Sequence, residues 1–459
     1  MLRVFEAFAG YGSQRMALRN LGIEHEVVAI SEFDKYADAS YQAIHGKTLN
    51  LGDITKIDVD DVPDHDLFTY SFPCQDISVA GKGKGFSKDS GTRSGLLWES
   101  ERIIKAKKPR YLLMENVKNL IGKKFMPSFQ EWILALEELG YSNYYEVLNA
   151  KDFGIPQNRE RVFMVSILGE HEPYVFPKPI KLEKRLKDVL EDEVDEKYYL
   201  DDERAQQLIA TITDVKGTNG DVEPERILGI FDKENRTHQS GSVYNKDKIA
   251  PTLDTMQGGW RQPSIIDEPK TIEGIPIKNN TDQGYLIAKE GDGVDLAYPT
   301  SNTRRGRVQK SMAQTLTTDD SKGVVELTAK ERFGRMGEQA VRTQNKLRLP
   351  HGETLNPWNE EQSSTNGVAP TLTTRPEGFK TAINVTDQYR IRKLTPLECF
   401  RLMGVTDEDF YKAQAVNSNS QLYKQAGNSI VVSVLEAIFR NMFLEVPEKD
   451  LIGEHISLF

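Results

Sequence analysis

Residues Val4–Gln14 read VFEAFAGYGSQ. An apolar run, Arg3–Phe8, has the composition of a buried strand. Gly10 and Gly12 follow it, and Ser13–Leu21 has helical spacing. A glycine turn between a strand and a helix lets backbone amides approach a ligand closely, beside a helix N-terminus. That predicts a nucleotide-type cofactor. The dinucleotide fingerprint needs a third glycine at position 15, which is Arg15, so a nicotinamide or flavin dinucleotide fits poorly. A purely structural turn is the plain alternative.

Outward from this stretch, strand-like and helix-like segments alternate. Strands are expected at Glu26–Ser31, Asp66–Ser71, Arg110–Glu115, Tyr144–Leu148 and Arg161–Ile167 as well as Arg3–Phe8, with a further helix at Met126–Leu139. Such alternation predicts an open α/β sheet covered on both faces. Ligands in such sheets bind beyond the carboxyl ends of the strands, so the residues that follow each strand carry the functional reading. Glu32 ends the second strand, where a carboxylate can accept hydrogen bonds from a ribose; Phe33 can stack on an adenine, and Asp53 can accept from its amino group.

The third strand leads into SFPCQ (Ser71–Gln75) and then into VAGKGKGFSKDSGTRSG (Val79–Gly95), a Gly-, Ser- and Lys-rich stretch with the composition of a mobile lid. Cys74 reads either as a small buried hydrophobe or as a nucleophile. Glu115 closes the fourth strand on the same edge of the sheet. A thiol and a carboxylic acid so placed suit attack on an electron-poor ring with proton donation to a ring nitrogen; an exposed strand-end carboxylate is the alternative. Arg159 and Arg161, in PQNRERVF, share a face if the segment is extended. They can hold a base oxygen or a phosphate, or merely form ion pairs.

Composition narrows the field. The 459 residues suffice for two domains or for one with an insertion. Two cysteines, Cys74 and Cys399, exclude a disulfide framework and a cysteine-rich metal site. Apolar runs are short, and the N-terminus lacks the pattern of a secretory signal, so a cytoplasmic protein without membrane spans is expected. The net charge of −10 argues mildly against a nucleic-acid partner, yet Ser301–Pro350 carries 11 basic and 5 acidic residues, a local excess of 11 − 5 = +6. That stretch fits a phosphate-contacting surface or a solvated loop.

From about residue 181 to 390, Gly, Thr, Asn and Asp become frequent. Ala-x-Thr-Leu-x-Thr occurs three times, starting at Ala250, Ala313 and Ala369, each followed by a glycine-containing turn. The uneven spacing, 63 and 56 residues, excludes a regular solenoid and leaves a reused strand–turn unit. Helical patterns return at Pro396–Met403 and Ile430–Met442.

Six segments in order, FAGYG, FPCQ, ENV, QNRER, RKLTPLECFRLMG (Arg392–Gly404) and QAGNS (Gln425–Ser429), closely resemble the motifs of the cytosine-5 DNA methyltransferases of prokaryotic restriction–modification type. Ala7 and Ser13 are small departures from that pattern. The resemblance implies a Rossmann-like S-adenosylmethionine-dependent methyltransferase domain, residues 1–180 and 391–459, with an inserted, largely β target recognition domain, residues 181–390. It implies Cys74 as nucleophile, Glu115 at ring N3 and the amino group, and Arg161 at the base oxygen, with Arg159 a further catalytic residue. Phe72 and Pro73 would edge the base pocket. Phe8, Ala9, Gly10, Gly12, Glu32, Phe33, Asp53, Ile54, Leu96, Asn428 and Ser429 would line the pocket for S-adenosylmethionine, which leaves as S-adenosylhomocysteine. DNA contacts are expected from Gln75, Ser78, Arg304, Arg305, Arg307, Thr371 and Leu372. The Ala369 unit lies nearest the family position of the Thr-Leu dipeptide.

The expected substrate is cytosine in double-stranded DNA, flipped out of the helix and methylated at C5 through a covalent Cys74 adduct. The expected protein is a monomer, without a metal, of a bacterium or a phage, with or without an independent cognate endonuclease. A transfer-RNA methyltransferase and a catalytically silent DNA-binding member are the alternatives. The long insert reads as one enlarged recognition domain, as several units with separate targets, or as hairpin scaffolding.

Overall fold

A computed structural model describes residues 1–74, 76–77, 94–201, 204–205, 222–230, 241–256, 260–267, 275–278, 285–288, 293–295, 307–309, 322–324 and 390–444. The chain divides into two compact units, Met1–Ile266 with Ile391–Phe459, and Asp267–Arg390.

The first unit is built on a six-stranded sheet. Its strands are β1 (Leu2–Ala7), β2 (His25–Ser31), β3 (Leu67–Tyr70), β4 (Tyr111–Val117), β5 (Tyr141–Asn149) and β6 (Glu160–Leu168), in spatial order β2-β1-β3-β4-β6-β5. The first four run parallel; β6 is antiparallel to β4 and to β5. The chain moves outward from β1 to β2, then returns to place β3 on the other side of β1. This is the reversal at which doubly wound sheets open a crevice beyond their carboxyl ends.

Alternation along the strands sorts side chains onto two faces. Val4, Leu67, Leu113, Phe163 and Val165 join one core, against α1 (Ser13–Asn20) and the C-terminal helix (Val432–Phe443). Phe5, Phe68, Tyr70, Leu112, Met114 and Met164 join the other, with Ile103 and Ile104 of α3 (Leu97–Lys107) and Trp132 of α4 (Met126–Glu137). Each fully buried apolar side chain contributes about 1.5–3 kcal/mol by transfer from water, so both faces hold the sheet rigid beneath its carboxyl edge.

The helix α2 (Lys35–His45) follows β2. The C-terminal part adds α5 (Pro396–Arg401), α6 (Asp407–Gln414), α7 (Asn419–Asn428) and α8 (Val432–Phe443). It is tied back to the N-terminal half by Lys424–Asp34 at 2.7 Å and by a buried bond from the Ser40 hydroxyl to Gln425 Oε1 at 2.8 Å.

The first unit extends past the expected boundary near residue 180. A four-stranded sheet, β15-β9-β8-β7, combines β7 (Arg226–Gly229), β8 (Ser242–Tyr244), β9 (Ser264–Asp267) and β15 (Arg390–Lys393). Backbone bonds from Leu200 to Ile391 and from Ala250 to Pro156 tie residues 181–266 to the rest of the first unit, whose compact boundary falls at Ile266. The described elements of the second unit are strands. β10 (Ile275–Lys278) and β11 (Tyr285–Ala288) form one antiparallel pair. β12 (Gly293–Asp295) pairs antiparallel with β13 (Arg307–Gln309) and β14 (Lys322–Val324).

Candidate active site at the carboxyl edge

β3 ends at Tyr70, and Ser71–Cys74 emerge at the carboxyl edge. Successive carbonyls of this turn are pinned from neighbouring elements. Asn116 Nδ2 donates to the Phe72 carbonyl at 2.9 Å, and the Ser94 hydroxyl to that of Pro73 at 2.6 Å. The Cys74 carbonyl accepts from the Ile77 amide at 3.0 Å, and Asn119 Nδ2 donates to the Ile77 carbonyl at 2.6 Å. Cys74 is half-buried on a turn whose backbone is fixed on both sides.

Strand register explains why Glu115 and Arg161 meet. Val117 stands opposite Arg161 across the antiparallel β4/β6 pair, and Glu115 opposite Phe163. Residues 115 and 117 project to one face, so Glu115 and Arg161 are diagonal neighbours, a separation that long side chains span. Arg161 Nε lies 3.2 Å from Glu115 Oε1. Glu115 is 7% exposed. That removes the exposed strand-end alternative. Burial raises its pKa above the ordinary carboxylate range, and the Arg161 and Arg159 guanidiniums only partly oppose this. Burial likewise pushes the Cys74 thiol up, the Glu115 charge adds to the rise, and the two arginines oppose it.

Arg159 departs from the expectation of a shared arginine face. It is 3% exposed, and its charge reaches Glu115, Cys74 and Arg161. Its terminal nitrogens donate to the carbonyls of Leu253 at 2.9 Å, Gly427 at 2.9 Å and Ser429 at 2.7 Å. Those terminal nitrogens are committed to the backbone. Burial lowers the Arg159 pKa to about 9, Arg161 being the next cause.

The cofactor side begins at Phe8, whose φ of +56° is rare for a side chain of its size. Its amide donates to the Ser31 carbonyl at 2.8 Å, joining the ends of β1 and β2. Glu32 accepts the Gly10 amide on one carboxylate oxygen at 2.9 Å and the Asp34 amide on the other at 2.8 Å. Gly12 must be glycine: its φ is +85°, and a Cβ would collide with His45 and Tyr41. A Cβ at Gly10 would meet nothing within 4 Å, so open space adjoins that turn. The Phe33 ring is 78% exposed beside it.

Asn50 was not apparent in the sequence. Its side chain accepts the amides of Glu32 and Gly52 and donates to the Glu32 carbonyl, joining the β2 turn to the GDI segment. Asp53 spends one oxygen on the Thr55 amide and hydroxyl, and the other lies 3.7 Å from the Lys56 ammonium. Ala9 and Ile54 are buried; Leu96 packs against the second core. Asn428 ends α7, and the Ser429 hydroxyl donates to the Gln425 carbonyl at 2.7 Å. Gln75, Ser78, Arg304, Arg305, Thr371 and Leu372 lie outside the described residues, as do residues 79–93 of the expected lid and the Ala313 and Ala369 units; Arg307 falls on β13, described as backbone.

A cysteine on a fixed turn, a buried carboxyl group and an open glycine turn thus stand at the carboxyl edge of a doubly wound α/β sheet. The profile of C-5 cytosine-specific DNA methylases matches residues 2–444. The chain is 34% identical to the type II methyltransferase M2.ScrFI of Lactococcus lactis subsp. cremoris, over 96% of this chain and 99% of that one. It is 35% identical to the orphan methyltransferase M.Rho11sI of Bacillus phage rho11s, over 96% and 97%. Among solved structures, the Entamoeba histolytica methyltransferase EhMeth superposes with a TM-score of 0.54 at 13% identity, covering 99% of both chains. Dnmt2 of S. pombe superposes at 0.51 and 17%, covering 96% and 97%. The chain belongs to the C-5 cytosine-specific DNA methylase family and is a DNA (cytosine-5) methyltransferase.

Proposed function

We propose that this protein methylates a flipped cytosine in double-stranded DNA with S-adenosylmethionine as donor, Cys74, Glu115 and Arg161 carrying the chemistry. The observation that carries this reading is the buried Glu115–Arg161 pair next to a cysteine whose turn is fixed by Asn116 and Ser94. The Cys74 thiolate adds to C6 of the ring. The electron pair released from the C5–C6 double bond is accommodated as N3 takes the proton held by Glu115. Arg161 holds the base oxygen and keeps the Glu115 carboxyl oriented. C5 becomes nucleophilic. S-adenosylmethionine, when bound, supplies a methyl group on a positively charged sulfur to that carbon. Loss of the C5 proton to a base then expels the Cys74 sulfur, and the N3 proton returns to Glu115.

The residues present fit that donor. The space beside Gly10 is open, the Glu32 carboxylate is fixed at the end of β2, and the exposed Phe33 ring offers a stacking surface for adenine. Ser429 and Asn428 complete the same edge. Recognition of the target falls to residues within 181–390, one enlarged insert whose part up to Ile266 belongs to the first compact unit and whose remainder forms the second; it reads a longer site, with the basic stretch around Arg307 on the phosphates. The protein would act as a monomer in the cytoplasm of a bacterium or as a phage product; the relatives named above come from a bacterium and a phage. A cognate endonuclease, where the host has one, acts independently.

The test is incubation of the protein with tritiated S-adenosylmethionine and either duplex DNA or transfer RNA, then nucleoside digestion. Label is expected in 5-methyldeoxycytidine. Label in RNA with DNA unlabelled would overturn the choice of substrate. Bisulfite sequencing of DNA from expressing cells then reads the target sequence.

A further inference from the structure

The first Ala-x-Thr-Leu unit is seated in the catalytic unit, and the residues that seat it are those the three copies share. The Ala250 amide donates to the Pro156 carbonyl at 2.7 Å, and the Ala250 carbonyl accepts the Asn158 amide at 2.9 Å, so residue 250 runs parallel to Gln157. The Thr252 hydroxyl donates to the Asn158 carbonyl, and the Leu253 amide to Gln157 Oε1 at 3.4 Å. Gln157 is itself fixed by its amide nitrogen on the Leu402 carbonyl at 2.8 Å. The Leu253 side chain is 1% exposed, within the core that holds α7 and α8. On the far side the backbone of Asp254 and Thr255 lies so close to Gly427 that any Cβ there would strike it. The seat is therefore made by two of the segments singled out in the sequence, QNRER and QAGNS.

Arg159 joins these parts. Its fork bonds the Leu253 carbonyl with one terminal nitrogen and the Gly427 and Ser429 carbonyls with the other. Two residues further along the chain, Arg161 pairs with Glu115. A planar fork can satisfy carbonyls on separate segments at once, which the point charge of a lysine cannot do. We infer that Arg159 is a positioning residue: it locks the Thr252–Leu253 unit to the strand of Arg161 and to the Gly427–Ser429 turn, so that this unit and the base pocket are held in one register. The inference rests on the methyltransferase reading above. It assigns the work of the Thr-Leu dipeptide to the first copy, where sequence position alone favours the third.

The test uses the full-length protein, tritiated S-adenosylmethionine and unmethylated genomic DNA, with the variants Arg159→Lys, Thr252→Val and the two combined. Arg159→Lys is expected to lower kcat roughly 10- to 100-fold, the scale set by losing buried bonds from a charged donor, while cofactor affinity changes less than about twofold. Thr252→Val costs less, and the double variant is no worse than Arg159→Lys alone, because both act through one seat. Amide hydrogen exchange over Ala250–Met256 speeds up in Arg159→Lys, with β4 and β5 unchanged. An Arg159→Lys enzyme with wild-type kcat, or additive losses with unaltered exchange at 250–256, overturns the inference. If Arg159→Lys does not fold, Gly427→Ala reads the same seat, with faster exchange at 250–256 expected and wild-type exchange overturning it. Failure of the wild-type protein to label DNA defeats the functional reading instead, and the exchange measurement still decides whether Arg159 holds the seat.

Discussion

The two halves of the carboxyl edge hold their polar groups in opposite ways. At the ends of β4 and β6, Glu115 is buried and answered by another side chain, Arg161, so its protonation depends on that partner. At the ends of β1 and β2, the Glu32 carboxylate is fixed by two backbone amides, and Phe33 beyond it faces solvent. In the proposed reaction, the first arrangement would keep a proton available at a chosen place, and the second would offer a rigid surface for the methyl donor. Substitutions on the catalytic half should therefore appear in kcat and its pH dependence, and those on the cofactor half in KM for the methyl donor.

The largest effect belongs to Cys74→Ser. A serine hydroxyl is far less able to add to the ring, so methyl transfer is expected to fall to background while equilibrium dialysis shows the cofactor still bound; turnover in this variant would remove the basis of the contrast. Glu115→Gln follows, with transfer lowered by about 10²–10⁴-fold, the usual range for a positioned acid. Its single-turnover rate should also lose the descending alkaline limb of the wild-type pH profile. The sign follows from burial: the Glu115 pKa is raised, so the acid form persists above the ordinary carboxylate range and is lost as pH rises further. The ascending limb belongs to the Cys74 thiol and should survive in that variant.

Arg161→Ala sharpens the same point. The Arg161 charge lowers the pKa of both Glu115 and Cys74. Removing it lets both rise, so the whole profile should move toward higher pH as the neutral-pH rate falls; a fixed profile would mean that Arg161 serves only as a contact. The smallest effect is expected from Phe33→Ala. Loss of one exposed stacking ring costs about 0.5–1.5 kcal/mol, roughly two- to tenfold in KM for the cofactor, with kcat unchanged. A fall in kcat instead would erase the division between the two halves.

Much of this was legible in the sequence because the sheet is buried on both faces. The expected strand Arg3–Phe8 is Leu2–Ala7, and Arg110–Glu115 is Tyr111–Val117, since apolar runs bounded by turn residues mark such strands. Cys74 and Glu115 were findable because each ends or follows a strand. The fate of the two arginines was not. Both lie in one short segment, yet Arg161 is directed by the register of β6 against β4, and Arg159 by carbonyls 94 and 268 residues away. Asn116, Asn119 and Ser94 were missed for a similar reason: an amide or hydroxyl that pins a turn leaves no periodic signal. The seating of the Ala250 unit was hidden as well, because its seat is built by Gln157, Arg159 and Gly427, residues far from it along the chain.

The most direct test of the chemistry is trapping on duplex DNA in which 5-fluorocytosine replaces cytosine at the methylated site, with S-adenosylmethionine in excess. Fluorine at C5 cannot leave as a proton does, so the sulfur–C6 bond formed by Cys74 cannot be released. The expected result is a denaturation-resistant protein–DNA adduct for the wild-type chain, with the cross-link mapping to Cys74, and none for Cys74→Ser. Fluorinated DNA that stays free of the active wild-type protein would contradict the assignment of Cys74 as the nucleophile.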